Sequence, residues 1–334
     1  MGLLQYASST LRSRAGCLVM ILCVAKSLCS KEDSLRVRDF APSFSHSRFW
    51  GVTGGMLATY GGALGGLSYF WYRDASRSSF HFFNDGREWL GMDKAGHAYA
   101  GYFMSRWITG LYRWSGVKQH TALVGGSLSA LVLLSSIEIL DGFSAKWGFS
   151  GWDVLANAGG VLLMAAQELA WKEQRITLKM SSFPQSYPHN LRSRTNYLFG
   201  NSFPETVVKD YNALTVWASL NIHAFMKRKR HFPRWLNIAV GYGAEGLLGG
   251  FANRWCAQPQ SLSYCACLPE NRIDRSDVQR YAQFYLSLDV DFTRIKTRRP
   301  GVKALLHLLN LIKLPAPAVE FNMRGKVIFH PLFF

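Results

Sequence analysis

"MDKAGHAYAGY", residues 92–102, opens an amphipathic, aromatic helix that the spacing of apolar side chains predicts over 93–112. Asp93 and His97 are four residues apart and therefore share one helical face, with Lys94 beside them. Carboxylates at a helix start also meet free N–H groups and the positive end of the helix dipole. The stretch therefore predicts both a long helix and a cluster of ionisable groups at its first turn.

Three further segments have the length and apolar composition of long helices, so a small bundle of about four helices is expected over 51–172. The three segments are 51–71, 120–140 and 151–171. The first is so rich in glycine that it suits a helix packed closely in lipid, with a strand as the alternative.

Residues 1–30 have the order of an export signal, in which Arg12 and Arg14 precede an apolar run over 15–25. Small residues suited to cleavage follow near Cys29. The run is short of the roughly 20 residues that a membrane span needs, so a short anchor is the weaker alternative. Residues 31–50 are polar and basic, which predicts an exposed lead-in to the bundle.

The composition favours a membrane surface as the partner. Hydrophobic residues make up 49% of the chain and charged residues only 18%, yet the net charge is +17. Such an excess of positive charge suits nucleic acid or anionic lipid. The sequence contains no zinc finger, basic zipper or aromatic RNA-binding signature, so we expect anionic headgroups and no nucleic acid as partners.

The pattern changes after about residue 175, where apolar and polar residues alternate with a period of two. Long antiparallel strands are therefore predicted at 212–224, 236–245 and 281–294, with a hairpin around Arg324-Gly325. Their length matches the roughly 9–11 residues of a tilted strand in a membrane barrel. The alternative is a soluble antiparallel sheet that covers the helices.

The region 173–334 is thus expected to be β-rich and to form either a barrel-like sheet or an open one. Basic clusters at 227–235 and 294–303 interrupt the strands, where they suit solvated turns or phosphate headgroups. An amphipathic helix is predicted over 302–314. The predicted fold class is accordingly α+β and membrane-associated.

Three cysteines follow the predicted signal, namely Cys256, Cys265 and Cys267. In an exported protein, one disulfide that closes the Cys256–Cys267 region would leave one thiol over. A metal site is the alternative, but no histidine nearby completes it.

Further polar residues lie at the ends of the predicted helices. Glu138 closes the third, and Asp153 and Asn157 open the fourth, four residues apart. In an antiparallel bundle these ends meet the start of the second helix, so we expect one shared cluster with Asp93 and His97.

Three interpretations of the cluster stay open. The cluster is a structural set of helix caps and interhelical hydrogen bonds, a hydrolytic or transfer site, or a site that binds a lipid headgroup. In a reactive site, His97 is the acid or base, and Asp93, Glu138 and Asp153 hold it or a divalent metal. In a headgroup site, a lipid phosphate would be bound by cations and an amide. These candidate binding residues are Lys94, Arg106, Arg113 and Asn157.

Two stretches carry a family resemblance: "FHFFNDGREWLGMDKAGHAYAGYF" (80–103) and "SSIEILDGFSAKWGFSGWDVLANAGGVLL" (135–163). They resemble the YfiM-type lipoprotein family, a domain of unknown function, and are distantly similar to VanZ-like membrane proteins. The matching positions open with Asp93, Lys94 and His97, continue with Glu138, and end with Asp153, Asn157 and Gly159. The resemblance implies an envelope location and supplies no established reaction.

Together these observations predict a bacterial envelope membrane protein, in the outer rather than the inner membrane, that binds or processes an anionic lipid or cell-wall precursor. One alternative is a structural or assembly component of the outer membrane without enzymatic activity. The other is a metal-assisted membrane phosphoesterase, with a divalent metal as its cofactor.

Overall fold

The chain has an α+β fold, with a helical N-terminal half and an antiparallel sheet in the C-terminal half, as the sequence predicts. The structure, a computed structural model, describes residues 43–70, 77–226, 232–257 and 265–334. The predicted signal peptide (1–30), the part of the lead-in over 31–42 and the part of the basic cluster over 227–231 lie outside the described residues.

Four long helices form the N-terminal half. They are α1 (His46–Phe70), α2 (Met92–Trp114), α3 (Gln119–Asp141) and α4 (Gly151–Trp171). The glycine-rich segment is therefore a helix and not a strand, and it begins within the stretch predicted as an exposed lead-in. α3 and α4 are long and apolar enough to cross a membrane, judged by length and composition alone.

Small residues let α2 pack closely against both of its helical neighbours. A methyl group added to Gly160 of α4 would collide with the backbone carbonyl of Ala98, and one added to Gly101 of α2 would collide with that of Asn157. Gly126 of α3 lies equally close to Thr109. These contacts bring the starts of α2 and α4 and the end of α3 to the same end of the bundle.

Eight strands follow in the described part of the C-terminal half. They are β1 (Ile176–Ser182), β2 (Leu214–Leu220), β3 (Leu236–Glu245), β4 (Arg254–Cys256), β5 (Arg272–Asp274), β6 (Tyr281–Val290), β7 (Ala316–Asn322) and β8 (Val327–Phe333). Six of them form one antiparallel sheet in the order β1-β2-β3-β6-β7-β8, and β4 pairs with β5. Four shorter helices complete the described fold: α5 (Arg192–Phe199), α6 (Phe203–Lys209), α7 (Ile222–Phe225) and α8 (Pro300–Leu309).

Two predicted strands end earlier than the alternation of residues suggests, because an Asn or Asp side chain caps a turn there. Asn221 accepts a hydrogen bond from the backbone N–H of Ala224, which starts α7 directly after β2. Asp291 accepts one from Thr293 after β6. The prediction for β3 agrees with the structure, and the predicted hairpin joins β7 to β8 through Gly325, whose φ is +75°.

The sheet does not close into a barrel, so the barrel-like alternative is wrong for the described residues. The outer edge of β1 instead meets the segment after α8 through a parallel bridge between Met180 and Ile312. The Met180 N–H donates to the Leu311 carbonyl at 3.1 Å, and the Lys313 N–H donates to the Met180 carbonyl at 3.1 Å. The predicted helix over 302–314 therefore ends at Leu309.

The sheet curls strongly around its polar face. The rings of Trp217 in β2 and Phe333 in β8 lie 6.0 Å apart, although three strands separate β2 from β8. Inside the curl, Lys179 and Asp289 form a fully buried ion pair at 2.8 Å, and Ser219 donates to Asp289 at 2.5 Å. The polar face is thus the buried one, and much of the apolar face is exposed.

The disulfide prediction is confirmed. Cys256 and Cys267 are bonded with an S–S distance of 2.08 Å, and Cys265 is an exposed free thiol. A disulfide suits an oxidising compartment such as the bacterial periplasm.

Candidate functional site

The polar side chains predicted from the helix ends do meet at one end of the bundle. Asp93 and Lys94 lie in the first turn of α2, Glu138 in the last turn of α3, and Asp153 in the first turn of α4. The start of α4 is fixed by Ser150, whose hydroxyl accepts a hydrogen bond from the Asp153 N–H at 3.1 Å. We call Asp85, Asp93, Lys94, His97, Glu138, Asp153 and Asn157 together the helix-end cluster.

Lys94 lies at the centre of three carboxylates. Its ammonium nitrogen is 2.7 Å from Asp85, 2.8 Å from Asp93 and 2.5 Å from Asp153. Asp85 also accepts a 2.5 Å hydrogen bond from Ser150. One cation therefore balances three acids within the cluster, which leaves an excess of negative charge.

His97 lies between the same acids and the end of α3. Its Nε2 atom is 3.5 Å from an Asp153 oxygen and 3.7 Å from an Asp93 oxygen. Its Nδ1 atom is 3.7 Å from a Glu138 oxygen and 3.3 Å from the side-chain Oδ1 atom of Asn157. The side chain of His97 is 24% exposed, the most accessible of these groups. An imidazole so placed can exchange a proton or a ligand with solvent.

Asn157 contributes an unpaired donor to the cluster. The residue is fully buried, and its Nδ2 atom has no hydrogen-bond partner within the part of the chain that the structure describes. Because a buried amide N–H without a partner costs about 1–3 kcal/mol, Asn157 is poorly explained as a packing residue alone. Its Nδ2 atom is therefore free to donate a hydrogen bond to a ligand atom beside His97.

Burial, and then the charge of neighbouring carboxylates, raises the pKa of two acids of the cluster. Burial, then the neighbouring carboxylates, raises the pKa of Glu138 to about 9. Burial and the charge of Asp93 raise the pKa of Asp153 to about 7. Burial also acts to raise the pKa of Asp85, but hydrogen bonds from Lys94 and Ser150 outweigh it, and the net direction is downward.

Three side chains of the cluster have the geometry of a cation site. Asp93, His97 and Asp153 each offer one ligand atom, and these atoms all lie within 4.8 Å of one another. Two carboxylate oxygens and one imidazole nitrogen suit Zn²⁺ or Mn²⁺ better than Mg²⁺, which prefers oxygen alone. Three protein ligands would leave a further position open to water or substrate.

The structure separates Arg106 and Arg113 from the cluster. Arg106 is nine residues beyond His97, about 14 Å along α2, where it hydrogen-bonds the Tyr102 hydroxyl at 3.3 Å. Arg113 pairs with Glu168 at 2.7 Å near the opposite end of the helix. These two cations cannot hold a headgroup phosphate together with Lys94.

Sequence reasoning missed three members of the site. Asp85 and Glu88 stand in the segment that precedes α2, and their proximity to Asp93 in sequence was the signal for them. Tyr211 comes from the C-terminal half, and its hydroxyl donates to Asp93 at 3.0 Å. Nothing in the local sequence links Tyr211 to α2.

An open surface cavity of about 640 Å³ flanks the cluster. It is lined by Asn84, Gly86, Arg87, Trp152 and Phe251. Two of these residues are the sequence neighbours of Asp85, and Trp152 precedes Asp153. None of the cluster acids lines the cavity, whose walls combine the rings of Trp152 and Phe251 with the Arg87 side chain.

The comparisons with known proteins bear on the same segment. A family model described as "Predicted periplasmic lipoprotein (DUF2279)" matches residues 81–167, which contain the whole helix-end cluster, whereas Tyr211 lies outside the match. Searches of curated proteins and of solved structures found no match. The chain is therefore similar, over α2 to α4, to a lipoprotein family of unknown function, which supports a location in the cell envelope.

Proposed function

We propose that this protein binds a divalent cation at Asp93, His97 and Asp153 and, through it, the phosphate of an anionic lipid or cell-wall precursor in the bacterial envelope. The observation that carries the proposal is the convergence of three ligand atoms within 4.8 Å in a cluster with excess negative charge. A bound cation would balance that charge and attract a phosphate in turn.

The other residues of the cluster suit this role. The unpaired amide of Asn157 would donate to an oxygen of the ligand, and the open cavity beside Trp152 would hold its apolar part. With the metal as Lewis acid and Glu138 as proton carrier, the same site would act as a phosphoesterase. Without a positioned water, it would only bind.

A structural or assembly role is the second candidate, and the position of Lys94 favours it. Its three ion pairs already neutralise part of the acidic charge and join α2 to α4 and to the preceding segment. Removing a ligand would then change folding rather than ligand binding.

Calorimetric titration of the chelator-treated full chain with Zn²⁺ and Mn²⁺ tests the proposal. One binding site is expected in the wild type, and His97→Gln and Asp153→Asn should each weaken it by at least tenfold. The matched controls are His330→Gln, whose imidazole pairs with Glu320 at 2.8 Å, and the exposed Asp277→Asn. Equal binding by all five proteins, or none by the wild type, would contradict the proposal.

The ligand class is tested next, with vesicles that contain phosphatidylglycerol and with a soluble polyprenyl phosphate. Binding that depends on the added metal and is lost in His97→Gln supports the proposal. Release of inorganic phosphate from the polyprenyl phosphate, or of glycerol or glycerol phosphate from phosphatidylglycerol, would identify the phosphoesterase. If the variants lose thermal stability and the wild type binds neither metal nor phosphate, the structural role holds instead.

A further inference from the structure

The apolar face of the large sheet is turned toward the outside of the molecule. Leu286, Leu288 and Phe329 are exposed by 47%, 50% and 65%, and Phe284 and Phe321 are similarly exposed on the same face. The strand register makes the surface continuous, because Leu286 lies opposite Val319, which lies opposite Phe329. We call these five exposed residues the outer apolar face.

The buried face of the same strands carries many polar side chains beside the hydrophobic cluster of Trp217, Ala239 and Tyr285, whereas an ordinary water-soluble antiparallel sheet buries its apolar face. Along β6, Gln283, Ser287 and Asp289 are buried together with Tyr285, while Phe284, Leu286 and Leu288 are exposed. Asp289 contacts Lys179 and Ser219 through its Oδ2 atom, whereas its buried Oδ1 atom has no hydrogen-bond partner among the described residues. Polar residues inside and apolar residues outside are the arrangement of a sheet that contacts lipid.

One end of the strands carries the charge and the aromatic residues expected at an anionic membrane surface. β6 ends there, and the segment after it exposes Lys296, Arg298 and Arg299. Among the residues that the structure describes, none of these three forms an ion pair with a carboxylate. The cations are thus available to lipid phosphates.

Aromatic side chains accompany these cations. Trp235 precedes β3 at the same strand end and is 43% exposed, and its carbonyl accepts a hydrogen bond from Asp291 after β6. The Arg175 guanidinium before β1 stacks on the rings of Trp171 and Phe225. Aromatic residues beside lysine and arginine are typical of the boundary between headgroups and acyl chains.

We propose that the outer apolar face contacts the acyl chains of an anionic bilayer, with Lys296, Arg298 and Arg299 at its phosphate headgroups. This surface does not depend on the helix-end cluster, because the cluster approaches the sheet at the opposite strand end. There, the Tyr242 hydroxyl near the end of β3 donates to the Leu90 carbonyl just before α2. Lipid contact and cation binding can therefore fail separately.

Flotation of the full chain with vesicles tests the proposal. Wild type is expected to float with vesicles of phosphatidylglycerol and phosphatidylcholine, and Leu286→Glu/Leu288→Glu should reduce its partition at least tenfold. The matched control is Leu268→Glu/Val208→Glu, which adds two charges at equally exposed positions outside the face. Equal flotation of all three proteins would overturn the proposal.

The contact of Lys296, Arg298 and Arg299 with headgroups is tested separately. Replacing Lys296, Arg298 and Arg299 by Gln should weaken partition into anionic vesicles by about fivefold for each charge removed, and leave partition into pure phosphatidylcholine unchanged. An equal loss in both vesicle types would refute the assignment of the cations to headgroups.

A second measurement avoids the new charges in case the double variant does not fold. With p-benzoylphenylalanine at position 286, illumination should attach a phospholipid to the protein, whereas the same group at position 208 should not. Crosslinking of position 286 to a second copy of the chain, with no lipid adduct, would overturn the proposal and make the face a dimer interface. Circular dichroism and thermal unfolding confirm that each variant is folded.

Discussion

The Tyr211 hydroxyl donates a 3.0 Å hydrogen bond to the Oδ1 atom of Asp93, across a separation of 118 residues. Tyr211 lies just before β2, and Asp93 opens α2. The bond therefore joins the C-terminal sheet region to the acidic cluster of the helical half. Asp93 consequently has one carboxylate oxygen toward Tyr211 and the other toward Lys94.

Tyr211→Phe is expected to lower the free energy of unfolding by about 2 kcal/mol, because a hydrogen bond to a charged group is lost while the ring packing stays. Urea unfolding followed by circular dichroism measures the change. Tyr197→Phe, whose side chain is 40% exposed, is the control and should change stability by less than about 0.5 kcal/mol. A Tyr211→Phe protein as stable as this control would show that the two halves are not coupled through Asp93.

Lys94→Met should destabilise the fold by about 3 kcal/mol, because it leaves three close carboxylates without their cation. If the cluster accepts a divalent cation, Mn²⁺ or Zn²⁺ should restore much of this stability by taking the place of the ammonium group. Thermal unfolding with and without metal measures both effects. Lys209→Met breaks the accessible pair with Glu205 and should cost less than about 1 kcal/mol, with no rescue by metal. Failure of metal to stabilise Lys94→Met would argue for a purely structural lysine.

Gly160→Ala should destabilise the protein by about 1–3 kcal/mol, since the added methyl group meets the Ala98 carbonyl and forces α2 and α4 apart. The adjacent Gly159→Ala is a matched control, because its methyl group would point into open space. It should be neutral or stabilising by up to about 1 kcal/mol, given the higher helix propensity of alanine. Chemical unfolding of the two variants side by side is decisive, and equal stabilities would show that the helices do not cross at Gly160.

Glu88 makes stability depend on pH. Burial, then the charges of Asp93 and Asp85, raises its pKa from 4.5 to about 7. The folded state therefore holds a proton that the unfolded state loses near pH 4.5. The stabilisation of the fold that depends on the neutral Glu88 carboxyl group is fully present below that pH. It falls as the pH rises through about 7, by up to about 3 kcal/mol.

Glu88→Gln removes the titrating group, and its stability relative to wild type should increase between pH 5 and pH 8. The free energy of unfolding measured at a series of pH values for both proteins gives this difference. Glu270→Gln, at an exposed position, should follow the wild-type curve. A Glu88→Gln curve parallel to wild type across the range would contradict the assignment.

Local sequence was sufficient for much of the fold. The apolar periodicity of α2, α3 and α4 and the alternation along β3 are properties of short windows, and the structure follows them closely. The convergence of Asp93, His97, Glu138, Asp153 and Asn157 followed from antiparallel helices joined by short loops. These residues were predictable because chain connectivity alone brings the helix ends together.

Other parts of the site needed contacts between distant segments. Tyr211 reaches Asp93 only because β2 and α2 pack against each other, and Lys94 could have pointed to solvent rather than to Asp85 and Asp153. The separation of Arg106 from the cluster follows from helix rise, which charge type alone does not reveal. β1 escaped prediction, and its outer edge is covered by the segment after α8.

The sequence by itself determined the three long helices α2 to α4, the strand β3 and which polar residues gather at the helix ends, and it favoured one disulfide in the Cys256–Cys267 region. Only the tertiary structure decided that the sheet stays open and that its polar face is the buried one. An alternation of period two defines two faces but does not specify which of them is covered. The curl that brings Phe333 onto Trp217 covers the polar face and leaves the apolar one outside.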